Sequence, residues 1–349
     1  MSAESKYQHI LESRSAVLLS IETSCDETAA AVVADGRKVI SNVVHTQIPL
    51  HQAFGGVVPE IASRNHVEMI TPVVALALHK AGLKPEDLDG IVVTHGPGLV
   101  GSLLVGLTFA KTLAYAAGLP FAGVHHIASH IAANYITFPD LEPPFTCLVA
   151  SGGHSDLIRV DAYYRFTLLG STRDDAAGEA FDKIARVLGL PYPGGPALEK
   201  LAESGDPDSI RFHSAFNESD SFDFSFSGLK TAAIHELQVR KQRGENDSAA
   251  DIAASFQSTV VEILSEKAVR AALASGDGTL ALAGGVSANS ALRKALSKKC
   301  SRNGIRFCCP DFQYCTDNAA MVGSAGFYRL LAAPPDDLSL NAVPGLPLA

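Results

Sequence analysis

Two features that would mark a redox protein or a membrane protein are missing from this sequence. The six cysteines are scattered between Cys25 and Cys315, and no two of them form a Cys-x-x-Cys pair. The most apolar run, residues 99–110, is too short to span a membrane and is followed by Lys111. Residues 2–15 are polar and do not resemble a signal peptide. We therefore expect reduced thiols and a cytoplasmic protein with no membrane segment.

Positive charge is also scarce. The chain has 28 Lys and Arg against 37 Asp and Glu, which gives a net charge of −9. A protein that binds nucleic acid alone needs basic surface for the phosphates, so the composition argues against that class. One stretch, residues 293–306, carries Lys and Arg but no acid. On charge alone, this local basic strip is best explained as a solvated helix face.

What is present is a soluble globular composition, with 47% hydrophobic and 19% charged residues in a chain of 349. A strand, a polar turn and a second strand occur at 16–45 and again at 145–169, and each unit opens a half in which strands and helices alternate. The sequence therefore predicts an α/β protein with two lobes around a cleft. We expect this division: a flexible extension at 1–15, an N-terminal lobe at 16–140, a C-terminal lobe at 141–332 with a helical insertion at about 175–275, and a flexible tail at 333–349.

The histidine cluster at 125–130 lies between these two halves. His126 and His130 are four residues apart, so a helix would place both imidazoles on one face, one turn apart. Neutral imidazole binds zinc, iron, nickel or copper. The spacing alone is also compatible with two ordinary polar residues on a half-buried face, and both interpretations stay open at this point.

Several polar and glycine-rich turns, taken together in chain order, resemble the bacterial TsaD family, once described as the O-sialoglycoprotein endopeptidase or Gcp family. The turn Thr-Ser-Cys-Asp-Glu-Thr at 23–28 is similar to the bacterial and mitochondrial branch. Any one of the matching segments would be weak, but their shared order makes the resemblance specific. The segments are 21–28, 55–64, 96–101, 125–130, 151–154, 174–183, 192–196, 223–231, 283–289 and 315–318.

The resemblance implies the two-lobed α/β fold of actin, sugar kinases and Hsp70. It also implies transfer of a threonylcarbamoyl group from threonylcarbamoyl-AMP to N6 of the adenosine beside the anticodon, in tRNAs that read codons beginning with A. By similarity, His126, His130 and Asp317 would bind one divalent metal, iron or zinc. The residues that would hold the adenine nucleotide, as threonylcarbamoyl-AMP, ATP, ADP or AMP, are Val149, Ala150, Ser151, Gly152, Gly153, Asp182, Gly195 and Asn289.

The family also implies partners: tRNA, a shorter TsaB-like paralogue, a TsaE-like ATPase and a TsaC-type enzyme that supplies the intermediate. One departure concerns residues 127–129, which read Ile-Ala-Ser where many relatives have a Glu-Gly pair before the last histidine. The ligands are retained, so the departure concerns only groups that could tune metal affinity.

The transfer also needs a base to accept the N6 proton. Asp26 and Glu27 are the candidates, because they lie in the first polar turn. They could equally be acids that keep a hairpin soluble. His154 is open between a substrate contact and a structural role.

Three other functions compete with the transferase. A metalloprotease of the His-Glu-x-x-His type is disfavoured, because residue 127 is Ile and no glutamate follows the first histidine. A phosphotransferase would rest on the fold alone, and fold does not determine function. A nucleotide-binding scaffold would not require the histidine pair.

Overall fold

The computed structural model describes residues 2–212, 220–243 and 249–348. These residues form two lobes, and each lobe contains a five-stranded sheet. The predicted two-lobed α/β fold is confirmed.

The first sheet has the order β3-β2-β1-β4-β5. β1 to β3 are antiparallel, and β4 and β5 run parallel to β1. The hairpin between β2 and β3 turns at Asp35 and Gly36, whose φ values of 54° and 67° suit the tight turns that join twisted strands. The strand bounds are β1 Val17–Glu22, β2 Glu27–Ala34, β3 Lys38–Thr46, β4 Gly90–Gly96 and β5 Phe121–His125.

The second sheet repeats this topology with the order β10-β9-β6-β7-β8. Three antiparallel strands are again followed by two parallel ones. The repeat expected from the two strand–turn–strand units is therefore present in the whole sheet. Its strands are β6 Phe145–Ala150, β7 Ser155–Ala162, β8 Arg165–Ser171, β9 Thr279–Ala283 and β10 Arg306–Cys308.

Helices cover both faces of each sheet, which explains why the central strands are continuous apolar runs. α3 (Pro59–Ala81) and α4 (Val100–Ala117) pack on the outer face of the first sheet. α5 (His126–Thr137) and α11 (Ala319–Ala332) lie between the sheets, in one core cluster that includes strands of both lobes. The remaining helices are α1 Ala3–Ser13, α2 Ile48–Gln52, α6 Ala177–Val187, α7 Gly194–Ala202, α8 Ser227–Arg243, α9 Ala249–Ser275 and α10 Ser290–Arg302.

The structure differs from the expected flexible extension at 1–15. Residues of this segment form α1, in which Tyr7 and Ile10 are buried in the central core. The two side chains are three residues apart and share one helix face, so a short amphipathic helix was hidden among polar neighbours. Lys6 Nζ also donates hydrogen bonds to the carbonyl oxygens of Glu86 and Leu88.

The expected flexible tail at 333–349 differs as well. Residues 334–348 run back over the first lobe, and Leu340 and Ala342 pack against its outer core. α11, expected in the C-terminal lobe, packs against α5 and against β1 and β2 of the first sheet. The C-terminal end of the chain therefore packs against the first lobe, although it follows the second lobe in sequence.

α4 is 18 residues long and apolar enough to cross a membrane by length and composition. The expectation that this region is too short to do so was based on 99–110, whereas the helix continues to Ala117. Leu107, Ala110 and Ala114 pack in the outer core of the first lobe. α4 thus covers the first sheet with one face, and 33% of the helix is buried.

Candidate metal centre and nucleotide cleft

A cleft of about 990 Å³ lies between the two lobes. Turns that follow the strands of both sheets line it, as is usual for ligand sites in α/β folds. The lining segments include residues 24–27, 97–99, 151–154, 190–196, 285–289 and 316–317, together with His126 and His130.

The two histidines belong to the first turns of α5, and Asp317 meets them from the loop before α11. Asp317 Oδ1 lies 3.6 Å from His126 Nε2 and 3.1 Å from His130 Nε2. One ligand atom from each residue lies within 4.8 Å of the other two. The helical spacing thus brings the two imidazoles together as predicted, and the fold adds the carboxylate.

The surroundings of these residues fit a metal ion. His130 is 1% exposed, and its Nε2 approaches Asp317 without forming a hydrogen bond of acceptable geometry. A buried imidazole nitrogen without a hydrogen-bond partner is suited to donating its lone pair to a metal. Two imidazoles and one carboxylate with room for further ligands are a donor set used by zinc and iron.

The acids and histidines of this cluster shift one another's pKa values. Burial alone would raise the pKa of Asp317, but the two histidines outweigh it and lower the value to about 2. Burial alone would lower the pKa of His126, but Asp317 and Glu22 raise it to about 9. A dense negative field from two carboxylates therefore surrounds the imidazoles, and such a field favours a bound cation.

Glu22 is a residue of this candidate site that the sequence reasoning missed. It is fully buried at the end of β1, and its Oε2 lies 3.3 Å from His126 Nδ1. Thr94 Oγ1 donates a hydrogen bond of 2.6 Å to the same carboxylate. A carboxylate that accepts from Nδ1 leaves Nε2 of His126 free toward the metal position. A glutamate closing an apolar strand was the available signal.

Asp26 and Glu27 both line the cleft, as expected for groups that act on substrate. Asp26 is buried and Glu27 is half-buried at the start of β2. Burial raises the pKa of Glu27 to about 10, and the charges of Asp317 and Asp26 act in the same direction. This shift favours the protonated carboxyl, which can donate a hydrogen bond.

The residues expected to hold a nucleotide divide into two groups. Ser151, Gly152, Gly153, Asp182, Gly195 and Asn289 line the cleft. Val149 and Ala150 do not, because they are fully buried within β6. Within residues 149–153, the turn therefore faces the cleft and the end of β6 leads into it.

Asp182 acts on the cleft through a second glycine turn. Its Oδ1 accepts hydrogen bonds from the backbone N–H groups of Gly194 and Gly195, at 2.8 and 3.1 Å. Asn289 similarly caps α10, with Oδ1 accepting from Leu292 N at 2.9 Å. Both side chains order the start of a helix at the cleft, where backbone N–H groups can face a phosphate.

The structure shows where His154 and residues 127–129 lie. His154 lines the cleft, and burial together with the neighbouring histidines lowers its pKa to about 4, so its imidazole is neutral. The unusual residues 127–129 are all buried. Ser129 Oγ donates to the carbonyl oxygen of His125 and not to a metal-binding side chain.

The fold and the site together define a two-lobed α/β protein of the actin, sugar kinase and Hsp70 type, with a candidate His–His–Asp metal centre in its cleft. Solved structures support the fold alone. HypF of T. kodakarensis has a TM-score of 0.62 at 17% identity, over 90% of this chain and 47% of that one. Component A of the (R)-2-hydroxyglutaryl-CoA dehydratase of Acidaminococcus fermentans has a TM-score of 0.53 at 16% identity, over 91% and 99%.

Sequence comparison is more specific. Residues 38–324 match the family model described as TsaD: tRNA N6-adenosine threonylcarbamoyltransferase. A protein of that name from Caldicellulosiruptor saccharolyticus is 54% identical over 95% of this chain and 98% of its own length. One from Clostridium perfringens is 52% identical over 95% and 98%. The chain belongs to the TsaD family.

Proposed function

We infer that this chain is a tRNA N6-adenosine threonylcarbamoyltransferase, and that its cleft moves the threonylcarbamoyl group from threonylcarbamoyl-AMP to N6 of the adenosine beside the anticodon. The observation that carries the proposal is the placement of His126, His130 and Asp317 in the same cleft as the glycine turns. A cleft of about 990 Å³ is large enough for an adenylate together with an extruded base.

His126, His130 and Asp317 would hold one divalent metal, iron or zinc. When bound, that ion supplies Lewis acidity toward the phosphate or the carbonyl group of the adenylate. The residues fit this role because they combine imidazole and carboxylate donors beside a buried second carboxylate, Glu22.

The glycine turns account for binding of the nucleotide. A Cβ on Gly152 or Gly153 would meet no atom within 4 Å apart from its chain neighbours, so this turn of backbone faces open space in the cleft. Backbone N–H groups at Ser151 to Gly153 would neutralise charge that develops on the leaving AMP. Asp182 keeps the facing Gly194–Gly195 turn in place.

The amine of adenosine loses a proton when the new bond forms. Asp26 is our proposed acceptor, because its side chain is an oxygen base that lines the cleft. The neutral Glu27 carboxyl beside it would donate a hydrogen bond to the developing oxyanion. Asp26→Asn and Glu27→Gln separate these roles: the first variant should lose the chemical step, and the second should keep part of it. Full transfer by Asp26→Asn would remove Asp26 from the mechanism.

The basic strip offers a place for tRNA on this acidic protein. Lys294, Lys298 and Arg302 are exposed on one face of α10, at successive intervals of four residues. Their neighbours are neutralised: Lys299 pairs with Glu262 and Glu266, and Arg306 pairs with Asp140. Because the cleft residue Asn289 caps the start of α10, the strip leads away from the site. It would contact phosphates of the anticodon stem.

Reversing these three charges tests the strip. Replacing Lys294, Lys298 and Arg302 with Glu should raise the KM for tRNA at least tenfold and flatten its dependence on salt. The affinity for adenylate should not change. Transfer with an unaltered KM and salt dependence would place the tRNA elsewhere.

Family membership also suggests the cellular setting. We propose that the enzyme works in the cytoplasm with a TsaB-like paralogue and a TsaE-like ATPase, and that a TsaC-type enzyme supplies its substrate. No membrane is needed for this reaction.

A transfer assay tests the central proposal. The protein and its TsaB-like and TsaE-like partners would receive threonylcarbamoyl-AMP and unmodified tRNA. A folded His126→Ala, His130→Ala double variant would be run in parallel, with His79→Ala, an exposed histidine of α3, as the control. Modified adenosine from the wild type and the control, but not from the double variant, is expected. Product from all three would discard the metal centre, and product from none would favour a scaffold or a phosphotransferase.

A further inference from the structure

Residues 336–346, here called the strap, pack closely against β4 and β5 of the first lobe. Gly123 in β5 leaves space that the strap fills, because a Cβ there would lie 2.5 Å from Leu340 Cδ2. At Gly96, at the end of β4, a Cβ would collide with the carbonyl oxygen of Val343. Asp336 anchors the beginning of the strap: its N–H donates to Phe121 O, and its Oδ2 accepts from Gly123 N.

Beyond these anchors the strap makes three hydrogen bonds to residues beside the cleft. Val343 N donates to His95 O at 2.8 Å, and Gly98 N donates to Pro344 O at 3.1 Å. His125 Nε2 lies 3.1 Å from Leu346 O. Every strap group in these bonds belongs to the backbone, so the contacts depend on the path of the strap and not on its side chains.

The bond to Leu346 determines the state of His125. A carbonyl oxygen only accepts, so His125 Nε2 carries the proton and Nδ1 has a free lone pair. That lone pair accepts from Ile127 N at 3.1 Å, which makes His125 the side-chain cap of α5. α5 begins with His126 and also carries His130. The strap therefore sets the tautomer of the residue that caps the metal-binding helix.

The hydrogen bond to Gly98 also connects the strap to His126, through the turn that contains Ser24. Leu99 N donates to Ser24 O at 2.8 Å, so the turn that the strap holds also holds the Ser24 turn. Ser24 Oγ lies 3.2 Å from His126 Nδ1. Pro97, Gly98 and Leu99 themselves line the cleft.

We propose that residues 343–346 of the strap are a positioning element of the active site, acting through His125 on the metal-binding helix and through Gly98 on the wall of the cleft. This proposal rests on the proposed transferase function. Positioning errors of about 1 Å reduce rates by up to about a hundredfold, and loss of groups that orient metal ligands reduces metal affinity by about 10- to 100-fold.

The test compares two truncations of the full chain. Ending the chain after Ala342 removes all three hydrogen bonds but keeps Asp336, Leu340 and Ala342 in their seats. Ending it after Pro347 keeps all three bonds and is the matched control. The readouts are zinc affinity by chelator competition, AMP affinity, the kcat and KM of transfer, and the melting temperature.

The shorter chain should remain folded but bind zinc about 10- to 100-fold more weakly and lose kcat, whereas the control should match the wild type. Adding His125→Ala to the truncation should add little to the loss of zinc affinity, because the truncation already breaks the pathway through His125. A folded shorter chain with wild-type zinc affinity and kcat would overturn the proposal, and so would additive losses in the combined variant.

His125 variants of the full chain decide the matter if the shorter chain does not fold. His125→Asn presents a capping oxygen that needs no tautomer, so it should retain most of the zinc affinity that His125→Ala loses. Equal loss in both would show that capping is not the route. Zinc affinity reports on the strap even if the wild type modifies no tRNA, so failure of the transferase proposal would be distinguishable.

Discussion

Replacing Glu22 with Gln isolates the charge behind the metal centre. The two side chains have the same shape, but the amide presents one acceptor and one donor where the carboxylate presents two acceptors. Both carboxylate oxygens are used: Oε1 accepts from Ser24 N at 2.5 Å, and Oε2 accepts from Thr94 Oγ1 at 2.6 Å and lies 3.3 Å from His126 Nδ1. Either orientation of the amide therefore sets its NH2 group against a donor, the Ser24 N–H in one case and the Thr94 hydroxyl in the other.

The size of the effect follows from what remains. Asp317 still neutralises His126 in the variant, so the metal-free chain should keep its fold with a loss of about 1–3 kcal/mol in the free energy of unfolding. Metal binding should suffer more specifically, because the imidazole loses the partner that orients it. Loss of such a partner weakens binding by about 10- to 100-fold, or about 1.4–2.7 kcal/mol.

Zinc affinity measured by chelator competition provides the assay, and chemical unfolding of the metal-free chain provides the stability. Thr94→Val is the matched comparison, because it removes one donor to Glu22 while the carboxylate keeps its charge. Its zinc affinity should fall by less than that of Glu22→Gln. Unchanged zinc affinity in Glu22→Gln would refute the view that this buried carboxylate orients the metal-binding imidazole.

Variants at three further positions test other parts of the cleft and the second lobe. Asp182→Ala should weaken AMP binding at least tenfold, because Gly194 and Gly195 lose their acceptor, whereas Asp182→Asn should keep most of the affinity; equal titrations would refute this. Burial raises the pKa of Asp156 to about 6, above its unfolded value, so its contribution to stability is highest below about pH 4 and is lost as pH rises toward 6. Asp156→Asn should therefore gain up to about 3 kcal/mol on the wild type between pH 4 and pH 7, and parallel pH–stability curves would exclude this. Lys267→Met should lower the free energy of unfolding by about 1–3 kcal/mol, because the buried ammonium group donates to two backbone carbonyls. Denaturant titration measures this, and a free energy of unfolding equal to that of the wild type would contradict the prediction.

Much of the fold could be predicted because its signals are local. The apolar strands β1 and β6, the turn at Asp35 and Gly36, and the helical spacing of His126 and His130 all follow from residues close together in the chain. The resemblance to one family supplied Asp317, which no local pattern linked to the histidines. The structure confirmed the two-lobed α/β class, and the site residues carried over by similarity stay predictions for the variants above.

The sequence by itself determined most of the segments that form strands and helices, because periodicity and turn chemistry act over a few residues. Only the tertiary structure decided that Glu22 lies behind His126, that α1 is buried against the core, and that residues 334–348 return to the first lobe. The physical reason is the same in each case. These contacts join distant parts of the chain. Those of the strap are made by backbone groups, which are the same in nearly every residue and so leave no signal in the sequence.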